Sequence, residues 1–228
     1  MLLMATNRAS FSWLTFLATF SMGAVDAYTY IAHNETFASA QTGNLVVFAV
    51  KFARGGIGQA WVCLPIWVGF ALGCFVAQAA LSWLNNKRDL RQRYLWLMSI
   101  VVVTLLIAAL GQKWFSELVL IFILGWLSGY ELTSFREVKD TTVNNGIMTG
   151  NTKNMMVALY HWLIEHDRVA RSKCLWLVAT LLTFVVGASI SAMACLRMSA
   201  DLVMWAVLLL NTAGLLAIYL TSRFRNDA

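Results

Sequence analysis

Charge is scarce in this sequence, and proline is nearly absent. Only 12% of the 228 residues are Asp, Glu, Lys or Arg, and Pro65 is the single proline, whereas 60% are hydrophobic. An ordinary soluble domain carries about 25% charged residues, so the composition excludes that class and points to a membrane protein. The four cysteines, Cys63, Cys74, Cys174 and Cys195, have no CxxC spacing and fall within apolar runs. That argues against a zinc or disulfide framework and for packing residues. There is no phosphate-binding glycine loop, no serine elbow and no pair of catalytic carboxylates at solvent-facing positions, which argues against an enzyme. His161 and His166 are five residues apart, a spacing that does not align them on one helix face, so no metal site or cofactor is expected.

What is present is a series of long apolar runs. Six are long enough to cross a bilayer, which takes about 20 residues: Phe11–His33, Ala60–Leu84, Tyr94–Gly111, Trp114–Phe135, Cys174–Leu196 and Leu202–Thr221. Two others, Thr42–Ala53 and Thr149–Ile164, are too short, and each begins at a Thr-Gly-Asn tripeptide. The first run resembles a signal peptide, with Arg8 before it and "AVDA" as a cleavage-like site. Its length and Asp26 favour a span instead.

Lysine and arginine arbitrate the topology, because cytoplasmic loops are enriched in them. The loop "NNKRDLRQR" (Asn85–Arg93) anchors the cytoplasmic side. If both short runs cross fully, Arg8, Lys51, Arg54, Lys113, Arg168, Arg171, Lys173, Arg223 and Arg225 all fall outside, against seven basic residues inside. If both short runs are re-entrant, only Lys51, Arg54, Lys113 and Arg197 remain outside and twelve lie inside, with Lys153 within a half-helix. The second arrangement fits the rule.

The expected fold is therefore an all-α polytopic membrane protein with six transmembrane helices and two re-entrant half-helices. Residues 1–113 and 114–228 form inverted-topology repeats, and both termini are cytoplasmic. Interrupted helices at matching places in inverted repeats point to a transporter's binding site near the midplane. Small-residue ridges, Gly69–Gly73–Ala77 and Gly187–Ser191, suit close helix packing and equally suit a homo-oligomer.

Thr42 and Thr149 can cap their helices, Gly43 and Gly150 allow an unusual backbone angle or a close approach, and Asn44 and Asn151 offer donors and acceptors at the same depth. Two helix N-termini, each equivalent to roughly +0.5 charge, then face one another and favour an anion. Lys153 and Asn154 extend that polar face; Lys153 strengthens an anion site or snorkels to the interface. Asp26 lies deep in the first span, where an isolated carboxylate costs about 2.5–3.5 kcal/mol, and Glu131 is its nearest counterpart in the second half. These two are the candidate proton-coupling groups. An arriving anion weakens the local positive field, so protonation of Asp26 accompanies binding and gives symport with H⁺. Asn211 is read as a helix–helix hydrogen bond.

"GAVDAYTYI" (Gly23–Ile31), "QTGNLVVF" (Gln41–Phe48) and "MTGN" (Met148–Asn151) together resemble the YoaK-like family of bacterial membrane proteins. The resemblance implies a six-spanning protein of the bacterial inner membrane with no assigned substrate. The leading expectation is a secondary transporter or channel-like permease for a small polar, anionic solute, with the lipid bilayer as its other partner. A non-transporting intramembrane binding or assembly protein is the alternative. The net charge of +6 reads as topology, not as a nucleic-acid surface.

Overall fold

The computed structural model describes residues 11–85, 89–139 and 141–220. Arg8, Lys87, Arg88, Arg223 and Arg225, which enter the charge count, lie outside the described residues, as do both chain ends. The elements are α1 (Ser12–Ala32), α2 (Gln41–Gly55), α3 (Ile57–Ala60), a 3₁₀ turn (Trp61–Cys63), α4 (Leu64–Asn85), α5 (Leu90–Gly111) and α6 (Glu117–Ser134). A short antiparallel hairpin follows, β1 (Glu137–Val138) and β2 (Thr141–Thr142), then α7 (Met148–Ile164), α8 (Arg168–Arg197) and α9 (Asp201–Leu220).

Local chemistry sets the boundaries. Pro65 stands in the first turn of α4, where its missing N–H removes no helical bond. Asp89 caps α5 by accepting from Gln92 N–H at 2.7 Å, and Asp167 caps α8 through Val169 N–H at 2.7 Å. Asn34 and Glu35 both take left-handed backbone angles, which stops α1 abruptly. Gly56, at φ +65°, makes the corner between α2 and α3.

Among the described residues, five helices are long and apolar enough to cross a membrane, and they mark a multi-pass membrane protein. They are Ile57–Leu84 (continuous through α3 and α4), α5, α6, α8 and α9. The sixth expected span, α1, has 21 residues but is too polar to join them. The reason is its position. Ser12, Thr15, Thr19, Ser21, Asp26 and Thr29 are all buried, because α1 packs against α8, α9 and α6. A helix surrounded by protein does not need a lipid-compatible surface on every side. The wide apolar faces of α4 and α8, including Phe75, Leu182, Val185 and Leu196, are exposed instead.

Side-chain contacts sort the helix ends onto two poles. At one, His33 and Asn34 meet Glu117 at 3.8 and 2.5 Å, Gln112 donates to the Asp201 carbonyl at 3.3 Å, and Lys113 pairs with Asp201 at 3.6 Å. Lys51, late in α2, returns to the same pole and donates to the Asn34 carbonyl at 2.8 Å. At the other pole, Thr15 donates to the Glu137 carbonyl at 2.6 Å and Lys139 N–H to Ser12 at 2.7 Å. Arg91 there caps the end of α9 through the carbonyls of Ile218 and Tyr219 at 3.2 and 3.3 Å.

Two helix pairs carry the most extensive packing, α1 with α8 and α4 with α6. Both are built on small residues that bring backbones together. A Cβ on Gly23 would collide with the Phe184 carbonyl, and one on Gly125 with the Ile66 carbonyl. Gly187 meets the Phe20 carbonyl as Gly69 meets that of Phe122. Ser191 donates to the Ala24 carbonyl at 2.7 Å, while Gly73 lies against the Trp126 carbonyl. Phe20, Gly23 and Ala24 are thus spaced as Phe122, Gly125 and Trp126 are, and Ile66, Gly69 and Gly73 as Phe184, Gly187 and Ser191 are. The expected ridges do bring the helices close.

These contacts leave no room for a side chain. Gly125→Val and Gly23→Val are expected to lower stability by about 1–3 kcal/mol or more through overpacking. Gly58→Val, where no atom lies within 4 Å, should be close to neutral. Thermal unfolding of the purified variants in detergent checks both statements.

Candidate functional site

Beyond the middle of α1, two non-helical segments meet. The first follows α1 and leads into α2; the second follows the hairpin and leads into α7. Inside a membrane protein such backbone must find partners within the protein. The two asparagines of the Thr-Gly-Asn tripeptides supply them. Asn44 Oδ1 accepts from Phe37 N–H at 2.8 Å, and its Nδ2 donates to the Phe37 carbonyl at 2.6 Å. Asn151 treats Asn144 identically, at 2.9 and 2.6 Å. Each asparagine reaches back seven residues and clamps both polar groups of one residue's backbone.

The adjacent glycines make the clamp fit. A Cβ on Gly43 would come within 3.0 Å of the Phe37 ring, and one on Gly150 within 3.3 Å of Asn144 Nδ2. Neither glycine takes a positive φ, so close approach, not an unusual angle, is what these positions use. The expectation that Thr42 and Thr149 cap the helices is corrected. The caps are Ala40 and Ile147, no side-chain cap bond forms, and both threonines are exposed.

The clamped segments touch at Ser39 and Gly146. Ser39 Oγ lies 2.9 Å from the Gly146 carbonyl and 2.6 Å from Asp26 Oδ2, while Ser39 N–H donates to Asp26 Oδ1 at 2.7 Å. Next door, Asn145 Nδ2 donates to the Glu131 backbone carbonyl at 3.0 Å. Asp26, Ser39, Asn145 and Glu131 are all at most 5% exposed. Asn145 Oδ1 is buried without a partner. A buried polar cluster with an unsatisfied member is where a solute, water or proton finds use.

Not every expected site residue belongs to the cluster. Asn44 and Asn151 are buried, but their amides are occupied by the backbone. Lys153 is exposed on the outer side of α7, with no ion pair among the described residues, so it neither faces Asp26 nor lies buried beside an anion. A long side chain on an apolar surface reaches for the interface, the snorkelling alternative. Asn154 is half-buried on the same helix. Carrying the spacing of Phe20, Gly23 and Ala24 along the helix sets Ser128, not Glu131, opposite Asp26; Glu131 corresponds to Thr29. Ser128 Oγ is itself buried and unpartnered. Ser39, Asn145 and Gly146 are not singled out by sequence pattern, although Ser39 and Gly146 each stand five residues before their asparagine. A small residue at that shared offset was the available signal.

The chain matches a family model over residues 14–218, nearly its whole length. It belongs to the DUF1275 family. That family is described as proteins of unknown function, in keeping with the expected class of uncharacterised membrane proteins. No curated protein and no solved structure matches the chain. Function in this DUF1275 protein therefore has to be read from the cluster itself.

The clamps make a prediction that differs from the expectation of a solute-binding amide, under which Leu at Asn44 or Asn151 spares the fold. Asn44→Leu or Asn151→Leu strands one part-buried N–H and one part-buried C=O, at up to about 1–3 kcal/mol each. Both variants are expected to unfold at clearly lower temperature, whereas Thr42→Val stays near the parent. Equal melting temperatures for all three would remove the clamp from the account.

Proposed function

We propose that this protein is a small secondary transporter or channel-like permease for a polar, anionic solute in the bacterial inner membrane. In this reading it has six spans, re-entrant α2 and α7, inverted repeats 1–113 and 114–228, and cytoplasmic termini. The carrying observation is the meeting of two identically clamped segments, at Ser39 and Gly146, against a buried acid. The matched glycine contacts of α1/α8 and α4/α6 support the inverted repeat. The return of Lys51 to the pole that α1 reaches supports a re-entrant α2. Helix N-termini beside the meeting point favour negative charge there.

The cluster also suggests how protons couple. Ser39 has one hydroxyl hydrogen and two oxygens within reach, Asp26 Oδ2 and the Gly146 carbonyl. A carbonyl cannot donate. Both contacts are hydrogen bonds only when Asp26 carries a proton and donates it to Ser39 Oγ, leaving the Ser39 hydrogen for Gly146. With Asp26 ionised, the hydroxyl turns to the carboxylate and the Gly146 carbonyl faces an oxygen lone pair. The link between the segments then weakens. Protonation of Asp26 thereby closes the contact, and proton loss releases it.

The alternative, a non-transporting intramembrane binding or assembly protein, is favoured by one observation: Ser39 and Gly146 are both buried and in direct contact at 2.9 Å. Flux separates the two. Proteoliposomes holding the purified protein should take up radiolabelled small anions, screened as a panel, faster with an inward pH gradient. Asp26→Asn places an amide donor where the acid proton stood, so the variant should fold and bind solute yet lose the gradient's effect. Uptake by Asp26→Asn with unchanged pH dependence reduces Asp26 to a structural residue. Absence of flux for every anion in the panel favours the binding protein.

Topology is checked separately. In a cysteine-free background, Asp167→Cys, between α7 and α8, should react with a membrane-impermeant thiol reagent only after the cells are opened. Labelling in intact cells restores eight spans and removes the inverted repeat.

A further inference from the structure

We infer that a second site, at the pole where Arg91 caps α9, binds a phosphate-type oxyanion, either free or as a phospholipid headgroup. A cavity of about 250 Å³ opens there between the end of α4, the start of α5 and the segment after α6. At ~30 Å³ per water it has room for roughly eight waters, enough for a hydrated phosphate group. Its lining includes Gln78, Arg93, Thr133, Ser134, Arg136 and Glu137.

The arginines are the telling part. Arg91, two residues before Arg93, is used structurally on the carbonyls of Ile218 and Tyr219. Arg93 is not: its side chain is half-buried, its Nε is buried without a partner, and no described carboxylate pairs with it. Arg136, across the cavity mouth, has no acidic partner among the described residues either. Ser134 Oγ is a second buried group with no hydrogen-bond partner. A partly desolvated guanidinium without a counter-charge is costly, and its planar fork matches two phosphate oxygens. Glu137 shares the lining and sets a limit on the negative charge the site accepts. The pole carries the loop assigned to the cytoplasm, where anionic lipid headgroups are enriched and basic pockets between helices bind them. This site does not depend on the transport reading.

The test uses full-length protein purified in a neutral detergent. Inorganic phosphate is titrated by calorimetry against chloride at equal ionic strength. In parallel, native mass spectrometry compares retention of phosphatidylglycerol with that of a neutral diacylglycerol. Binding in the first arm alone identifies a free oxyanion, and retention in the second alone identifies a lipid headgroup. In whichever arm responds, Arg93→Gln should weaken binding about tenfold to a hundredfold, the range of one charge-assisted hydrogen bond. Glu137→Gln should strengthen it. Arg54→Gln, at the opposite pole, should leave it unchanged. If Arg93→Gln fails to fold, the exposed Arg136→Gln provides the same reading. No response in either arm, or a response indifferent to both arginines, overturns the site.

Discussion

Backbone that is not helical cannot lie inside a membrane protein unless something answers its N–H and C=O groups. The segments before α2 and α7 face that constraint, and an asparagine answers it in both. The side chain has to be short, and it has to present a donor and an acceptor side by side. Asparagine alone among the short side chains does this: aspartate only accepts when ionised, and threonine has a single oxygen. The glycine before each asparagine follows from the same constraint, since a side chain there would press on the residue being clamped. Thr-Gly-Asn thus encodes a folded-back approach to a helix, and the polar contact at Ser39 and Gly146 depends on both clamped segments being rigid.

The composition of α1 follows from what surrounds it. Its hydroxyls do not face lipid: Thr19 bonds the Thr15 carbonyl at 2.7 Å, Thr29 the Asp26 carbonyl at 3.1 Å, and Ser21 accepts from Asn211 at 2.8 Å. Each is satisfied inside the protein, so the polarity that keeps α1 from qualifying as a lipid-facing helix costs little where it lies. Low apolarity in a helix of spanning length marks the centre of such a bundle. The most apolar helices, α4, α5, α8 and α9, can turn one face to lipid.

Much of this was legible in the sequence because it is local or periodic. Apolar runs located the long helices to within a few residues at most ends, and the two short runs became α2 and α7. Asn211 makes the interhelical bond expected of it. What the sequence concealed is long-range. Nothing near Asn44 announces that its amide belongs to Phe37, and a free-standing polar residue invites a ligand role. Lys153 stood between an anion site and the interface, and packing decides it: α7 packs mainly against α8 and leaves its other side open. Glu131 was paired with Asp26 by counting along the chain, while the glycine contacts fix a different register. The proximity of Ser39 to Gly146 spans 107 positions and carries no local pattern beyond a shared offset.

The rigidity of the two helix pairs bears on the proposed cycle. Where backbones touch through glycine, as Gly23 and Gly187 do in α1/α8 and Gly69, Gly73, Gly125 and Gly129 do in α4/α6, sliding by a fraction of a turn drives carbonyls into one another. Such pairs move as units or not at all. The segment before α7 is closely packed as well, since a Cβ on Gly146 would come within 2.6 Å of Ser39 Cβ and 2.9 Å of Met22 Cγ. The polar part of that contact is the Ser39 hydroxyl, which lies within reach of both Asp26 and the Gly146 carbonyl. In the proposed transport reading, a proton on Asp26 decides which oxygen receives the Ser39 hydrogen, so a change at one oxygen alters the polar tie between the two clamped segments without requiring the close-packed helix pairs to deform.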